Sequence, residues 1–148
     1  MIVDAPLRGR VVALADVPDE VFASAMVGPG VALLPDDDGP QRVVAPVAGV
    51  VGTAFPHAFA IELDDGRSVL VHLGIDTVTL RGAGFEVHAP VGARVERGDL
   101  LVTWSPADVV AADLSPLCPV VALQAEGVDV LVEPGGDVAA GEPLLRWG

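Results

Sequence analysis

The sequence contains no lysine, and its 8 arginines stand against 21 aspartates and glutamates, a formal net charge of −13. Nucleic-acid binding is built on basic contacts to phosphates, so this balance opposes it. It disfavours an anionic membrane surface too, whereas a basic protein partner suits it, drawn in by long-range steering. Without lysine the chain also lacks the side chain that a biotinyl or lipoyl carrier modifies. Cys118 is the single cysteine, so no disulfide can form within the chain, and a reducing, cytoplasmic setting fits. Within Leu117-Cys118-Pro119-Val120-Val121 it reads as a packed thiol. The N-terminus has no basic segment leading into an apolar run. No apolar stretch approaches the ~20 residues of a membrane span, so direct membrane insertion is not expected. H-E-x-x-H spacing and cysteine clusters are missing, as is G-x-S-x-G. Asp36-Asp37-Asp38-Gly39-Pro40 lacks the 12-residue calcium spacing and reads as an exposed turn. No metal and no cofactor is expected.

What is abundant is punctuation: 17 glycines and 13 prolines in 148 residues. They separate short β-branched runs, the pattern of many short strands and few helices. Candidate strands are Arg10–Leu14, Val31–Pro35, Arg42–Ala45, Val50–Phe55, Phe59–Leu63, Ser68–Leu73, Ala93–Val95, Leu100–Trp104, Val120–Ala122, Val128–Val132 and Pro143–Arg146. One helical turn is expected within 17–23, capped by Asp16, and a short helix over Ser105–Leu114 with Ser105 as cap and Pro106 first. Ala5-Pro6-Leu7-Arg8-Gly9-Arg10-Val11 recurs as Ala45-Pro46-Val47-Ala48-Gly49-Val50-Val51. The spacing G-x-x-V-x-x-G-x-x-L occurs at Gly92, Val95, Gly98 and Leu101 and again at Gly135, Val138, Gly141 and Leu144. These features predict one all-β domain over residues 1–148. It would be an antiparallel β-sandwich or flattened barrel of internally repeated β-units, with one or two short helical turns.

The most informative stretch runs from Pro56 to Thr77. Asp65-Gly66 favours a two-residue type I′ turn, since both central residues need φ > 0. That turn would set Leu63 opposite Ser68, Ile61 opposite Leu70 and Phe59 opposite His72. Side chains two apart share a face, so His57 would be a diagonal neighbour of His72 on a face of Phe59, Ile61, Leu63 and Leu70. A one-residue slip would separate the rings. A histidine among apolar neighbours is often a packed residue and nothing more. Two on one face also suit a neutral imidazole nucleophile beside a second ring that stabilises developing negative charge. His88, outside these stretches, reads as a surface residue.

His72-Leu73-Gly74-Ile75-Asp76-Thr77-Val78, followed by Leu80, Gly82 and Gly84-Phe85, closely resembles the signature of the glucose-type enzyme IIA domains (EIIA). These are phosphocarriers of the bacterial phosphoenolpyruvate-dependent sugar phosphotransferase system. His57-Ala58-Phe59-Ala60-Ile61 resembles the second histidine motif of that family. Val17-Pro18-Asp19-Glu20-Val21-Phe22-Ala23, Gly28-Pro29-Gly30-Val31-Ala32 and Ala45-Pro46-Val47-Ala48-Gly49 fit as well, so the resemblance extends from about Ala5 to the C-terminus. It implies that His72 accepts a phosphoryl group on Nε2 (a tele-phosphohistidine) from the phosphocarrier HPr and passes it to a cysteine of the sugar-specific EIIB domain. It also implies that His57 stabilises the phosphoryl group. An apolar rim of Phe55, Phe59, Met26, Val27 and Leu70, with Asp76 at its edge, is expected to dock the partners.

Two positions depart from the family pattern. A threonine usually stands two residues before the first histidine; here that residue is Phe55, and the loop is shorter by two residues. Pro29 stands between two glycines where an acidic residue is common. The competing reading is a zinc peptidase-like β domain, or an inactive relative, for which the third protein ligand is unassigned.

Overall fold

The computed structural model describes residues 1–36 and 38–148; Asp37, in the middle of the expected acidic turn, lies outside them. Among the described residues fourteen strands follow one another: β1 Ile2–Asp4, β2 Gly9–Ala13, β3 Gly30–Pro35, β4 Gln41–Val44, β5 Gly49–Phe55, β6 Ala58–Glu62, β7 Ser68–His72, β8 Phe85–Val87, β9 Arg94–Val95, β10 Leu100–Trp104, β11 Cys118–Ala122, β12 Asp129–Val130, β13 Asp137–Val138 and β14 Pro143–Arg146. Helix α1, Glu20–Ala23, precedes β3, and α2, Pro106–Ala111, precedes β11. All eleven expected strands form. The strands β1, β8 and β13, two or three residues each, were not foreseen, because runs that short carry no readable alternation.

Every pairing is antiparallel. An eight-stranded sheet runs in the order β13-β2-β3-β11-β7-β6-β5-β9, with two three-stranded sheets, β1-β14-β12 and β4-β10-β8. At the middle of the large sheet β11 is buried at all five positions, which is why Cys118-Pro119-Val120-Val121-Ala122 is apolar without alternation. One face of the sheet meets the main core, with Leu33, Val51, Phe59, Ile61, Val71 and Trp104 among its members. The other is covered by the segment after β2, where Leu14, Val17 and Phe22 pack on Ala32, Ile75 and Val121. Cys118 is a packed thiol: burial pushes it up to about 12.

The repeats seen in the sequence are repeats of hydrogen bonding. Asp4 N donates to Pro46 O at 3.0 Å and Val44 N to Pro6 O at 2.8 Å, so the two Ala-Pro turns hold each other reciprocally. Ala5 N bonds Glu142 O at 2.7 Å as Ala45 N bonds Asp99 O at 2.9 Å; Gly141 N bonds Ala5 O at 2.8 Å as Gly98 N bonds Ala45 O at 3.0 Å. The ladders correspond too: Val3 pairs with Leu145 and Val43 with Val102, while Gly9 pairs with Val138 and Gly49 with Val95. Each unit completes the backbone bonding of an edge that it would leave open alone.

Two local expectations are corrected. The turn between β6 and β7 has three residues, Asp64-Asp65-Gly66: Leu63 N donates to Arg67 O at 2.7 Å and Gly66 N to Leu63 O at 3.0 Å. Only Gly66 of the three has positive φ, at 89°. Asp65 Oδ1 accepts from Arg67 N at 3.0 Å, a local bond that satisfies the aspartate without a left-handed conformation. The register therefore shifts by one residue, and His72 faces Ala58 while Phe59 faces Val71. The second correction concerns α1, whose cap is Asp19, not Asp16. Asp19 Oδ1 accepts from Val21 N at 2.9 Å and Phe22 N at 3.3 Å, while Leu14–Asp16 forms a separate 3₁₀ turn. Helix α2 begins as expected, with Ser105 at its cap and Pro106 first.

Candidate functional site

His72 ends β7 on the face covered by α1, and Phe22 of α1 meets its ring edge-on, with centroids 5.3 Å apart. The chain then turns sharply through Gly74 (φ 77°) and Asp76 (φ 59°) into a 3₁₀ turn at Thr77–Leu80. Thr77 is buried, and its Oγ1 donates to Leu73 O at 2.7 Å, fixing this loop from inside. The result places Gly74 O 2.5 Å from His72 Nδ1. A carbonyl oxygen only accepts, so in the neutral ring Nδ1 carries the proton and Nε2 the lone pair.

The one-residue shift in register would have parted the two histidines had both stood on strands. They meet by another route. Pro56-His57 forms the turn between β5 and β6, with Phe55 opposite Ala58, so His57 is free of strand alternation. Its ring lies 5.2 Å from that of His72, centroid to centroid, at an interplanar angle of 68°. Phe55 stacks on His57 at 5.8 Å and 22°. Four rings thus run in series: Phe55, His57, His72 and Phe22.

Burial lowers the pKa of His72, opposed by the bond to Gly74 O and by the charges of Asp19 and Asp76. His57 is lowered by burial first and by His72 second. Both rings are held toward the neutral form, the form in which an imidazole nitrogen is a nucleophile.

The expected rim is sorted by the register. Phe59 is 2 % exposed, inside the main core. It therefore cannot form part of a docking surface, and this corrects its assignment there. Phe55 is 57 % exposed and Met26 72 %. Val27 and Leu70 are half-buried against the outer cluster, and Asp76 is exposed beside His72. Val21 and Val78, both exposed, belong to the same two segments and were not foreseen. Nor were the ring contact of Phe22 and the charge of Asp19 on His72. The sequence signals for them were the fit of Val17-Pro18-Asp19-Glu20-Val21-Phe22-Ala23 to the family pattern and Asp19 three residues before Phe22, a cap followed by an apolar residue. Among the described residues no group of three or more His, Cys, Asp or Glu side chains is placed to hold a metal ion, so the zinc reading finds no third ligand. His88 is a surface residue bonded through Nε2 to Thr103 Oγ1 at 2.8 Å.

The family model for the phosphoenolpyruvate-dependent sugar phosphotransferase system, EIIA 1, matches residues 1–128. The chain belongs to that family. It is 39 % identical over 143 residues to the PTS system glucose-specific EIIA component of Haemophilus influenzae, covering 95 % of this chain and 84 % of that protein. A PTS system glucose-specific EIICBA component from Staphylococcus saprophyticus is 38 % identical over 144 residues, covering 96 % of this chain but 21 % of that longer protein. Among solved structures, the glucose permease IIA from Mycoplasma capricolum superposes with a TM-score of 0.87 at 35 % identity, covering 98 % of this chain and 94 % of the other. The EIIA domain described above is thus a phosphotransferase component, with a phosphocarrier role in sugar phosphotransfer. Among its described residues no helix is long and apolar enough to cross a membrane.

Proposed function

We propose that Nε2 of His72 carries the phosphoryl group, which it receives from a phosphohistidine of HPr and passes to a cysteine of EIIB, in the cytoplasm. The observation that carries this reading is the contact between His72 Nδ1 and Gly74 O. It directs the lone pair of the neutral ring to Nε2. In the first step the Nε2–P bond forms as the donor's N–P bond breaks, and the bonding pair returns to the donor ring. In the second, the EIIB thiolate bonds to phosphorus and the pair of the Nε2–P bond returns to His72. Such transfer asks the protein mainly for in-line positioning and charge stabilisation. The position of His57 suits the second task, since an N–H of its ring can donate to a phosphoryl oxygen. Docking falls to Phe55, Met26, Val21 and Val78 with the partly covered Val27 and Leu70, and Asp76 adds charge at the edge. The relative from Staphylococcus saprophyticus, named as an EIICBA component, supports an EIIB domain as a partner.

The test is incubation with phosphoenolpyruvate, the general phosphotransferase enzyme and HPr. One phosphoryl group should be gained, stable to base and labile to acid as a P–N bond is. A folded His72→Ala variant should gain none; full labelling of that variant would overturn the assignment.

A further inference from the structure

We infer that Phe55 is a positioning residue for His57: its stacked ring, and not a hydrogen bond, sets where the second imidazole points. This rests on the role proposed for His57 above. The two histidines are held by different means. His72 has a backbone oxygen on Nδ1. For His57 the close partners are rings, Phe55 stacked at 5.8 Å and 22° and His72 at 5.2 Å and 68°. No hydrogen bond to either of its ring nitrogens is found among the described residues. An aromatic neighbour in offset contact restricts a ring without tying up its polar atoms. The N–H of His57 thereby stays free to donate to a phosphoryl oxygen, while rotation of the ring is limited.

Local chain geometry makes Phe55 the residue able to do this. The β5–β6 connection is a two-residue turn in which Phe55 pairs directly with Ala58. The phenyl group is therefore fixed one residue before the turn that carries His57. Phe55 also lines a small apolar recess with Val51, Ala54, Phe59, Val87 and Leu101. Phe55 is 57 % exposed, so it belongs to the docking rim and at the same time supplies the ring stacked on His57. In this chain the position two before the histidine thus carries an orienting surface in place of a hydroxyl, and the phosphoryl contact is left to the imidazole. The ionisable group acting on His57 is His72.

The test compares wild type with Phe55→Leu and Phe55→Tyr. Nuclear magnetic resonance of the ring nitrogens and carbons reports the tautomer ratio and titration of His57 in the unphosphorylated protein. Single-turnover transfer to EIIB reports its function. Phe55→Leu should raise the pKa of His57 toward the ordinary histidine value, alter its tautomer ratio and slow onward transfer, on the order of threefold to tenfold for loss of one aromatic contact. Phe55→Tyr, which keeps the ring, should restore all three. His72 should titrate nearly as in wild type. An unchanged His57 titration and tautomer ratio in a folded Phe55→Leu variant would overturn the inference whatever the transfer rate, since a slower transfer alone is explained by the place of Phe55 in the docking rim; so would failure of Phe55→Tyr to rescue. If wild type itself takes up no phosphoryl group, the carrier role proposed for His72 falls instead, and the resonance measurements still decide whether Phe55 orients His57.

Discussion

The amide of Leu73 donates to the carbonyl of His57 at 2.7 Å. That bond continues the β6–β7 ladder one step past its last paired residues, and it joins the backbones that bear the two imidazoles. His72 is the strand residue next to one end of the bond, and His57 is the turn residue at the other. The rings meet because His57 stands in the turn just outside β6 while His72 is still in β7.

From this follows a prediction for His57→Gln. The amide can donate a hydrogen bond to a phosphoryl oxygen but cannot become cationic or exchange a proton. Acceptance from HPr should survive in part, while transfer to EIIB should slow by roughly tenfold to a hundredfold, at or below the usual range for a lost acid–base group. Rapid-quench single-turnover transfer measures both steps. Onward transfer at the wild-type rate would make His57 a structural residue.

How much of this was legible in the sequence differs from residue to residue. The Ala-Pro and glycine-spaced repeats were, because each repeated letter marks a backbone demand met twice by equivalent bonds. The pairing of His57 with His72 was also expected, but through the wrong geometry. The Asp65 carboxylate bonds the backbone two residues on, and no strand pattern reveals that. The resulting shift moved Phe59 from the site to the core, since alternation assigns a whole strand to one register at a time. Asp19 and Phe22 reach His72 from another segment laid over the same face of the sheet, a tertiary contact that no local spacing encodes.

Gly74→Ala should disturb the site through its anchor. A Cβ there would lie 2.6 Å from Thr77 Cγ2 and 3.1 Å from Ser115 O, at a φ of 77°. Strain of about 1–3 kcal/mol is expected, read as a lower melting temperature. The carbonyl that anchors His72 Nδ1 should shift with it, reducing the rate of phosphoryl acceptance. Thr77→Ser removes the clashing methyl and keeps the hydroxyl bonded to Leu73 O, so in the double variant part of both losses should return. Additive losses in that cycle would place the defect elsewhere.

The histidines should also make stability depend on pH. Both have folded pKa values lowered from the ordinary 6.5, so below that value the unfolded chain binds more protons than the native one. Their contribution is fully present above about pH 6.5, is lost as pH falls through the unfolded value, and stops changing below the folded values. Melting temperatures measured from pH 7.5 to 5.5 should therefore fall more steeply for wild type than for His57→Gln/His72→Gln. Parallel curves would show that neither ring is desolvated in solution.

Docking separates apolar contact from charge. Val78 is 60 % exposed, two residues past Asp76, and Val21, also exposed, directly precedes Phe22, whose ring meets His72; both are proposed to lie where a partner reaching Nε2 covers the surface. Apolar contact at the centre of an interface supplies most of the affinity, while rim charge sets the encounter rate. Val78→Ser should weaken HPr binding by about fivefold or more, and equally at low and high salt. Asp76→Asn should lower the association rate at low salt and change little once the charge is screened. Phe59 provides the control. Its truncation to alanine should cost about 3–5 kcal/mol of stability, as for a phenylalanine removed from a packed core, and should change affinity only through the folded fraction. Association kinetics at two ionic strengths, corrected for that fraction by chemical denaturation, separate the three effects. Normal binding by a fully folded Val78→Ser variant would move the apolar centre of the interface toward Phe55 and Met26.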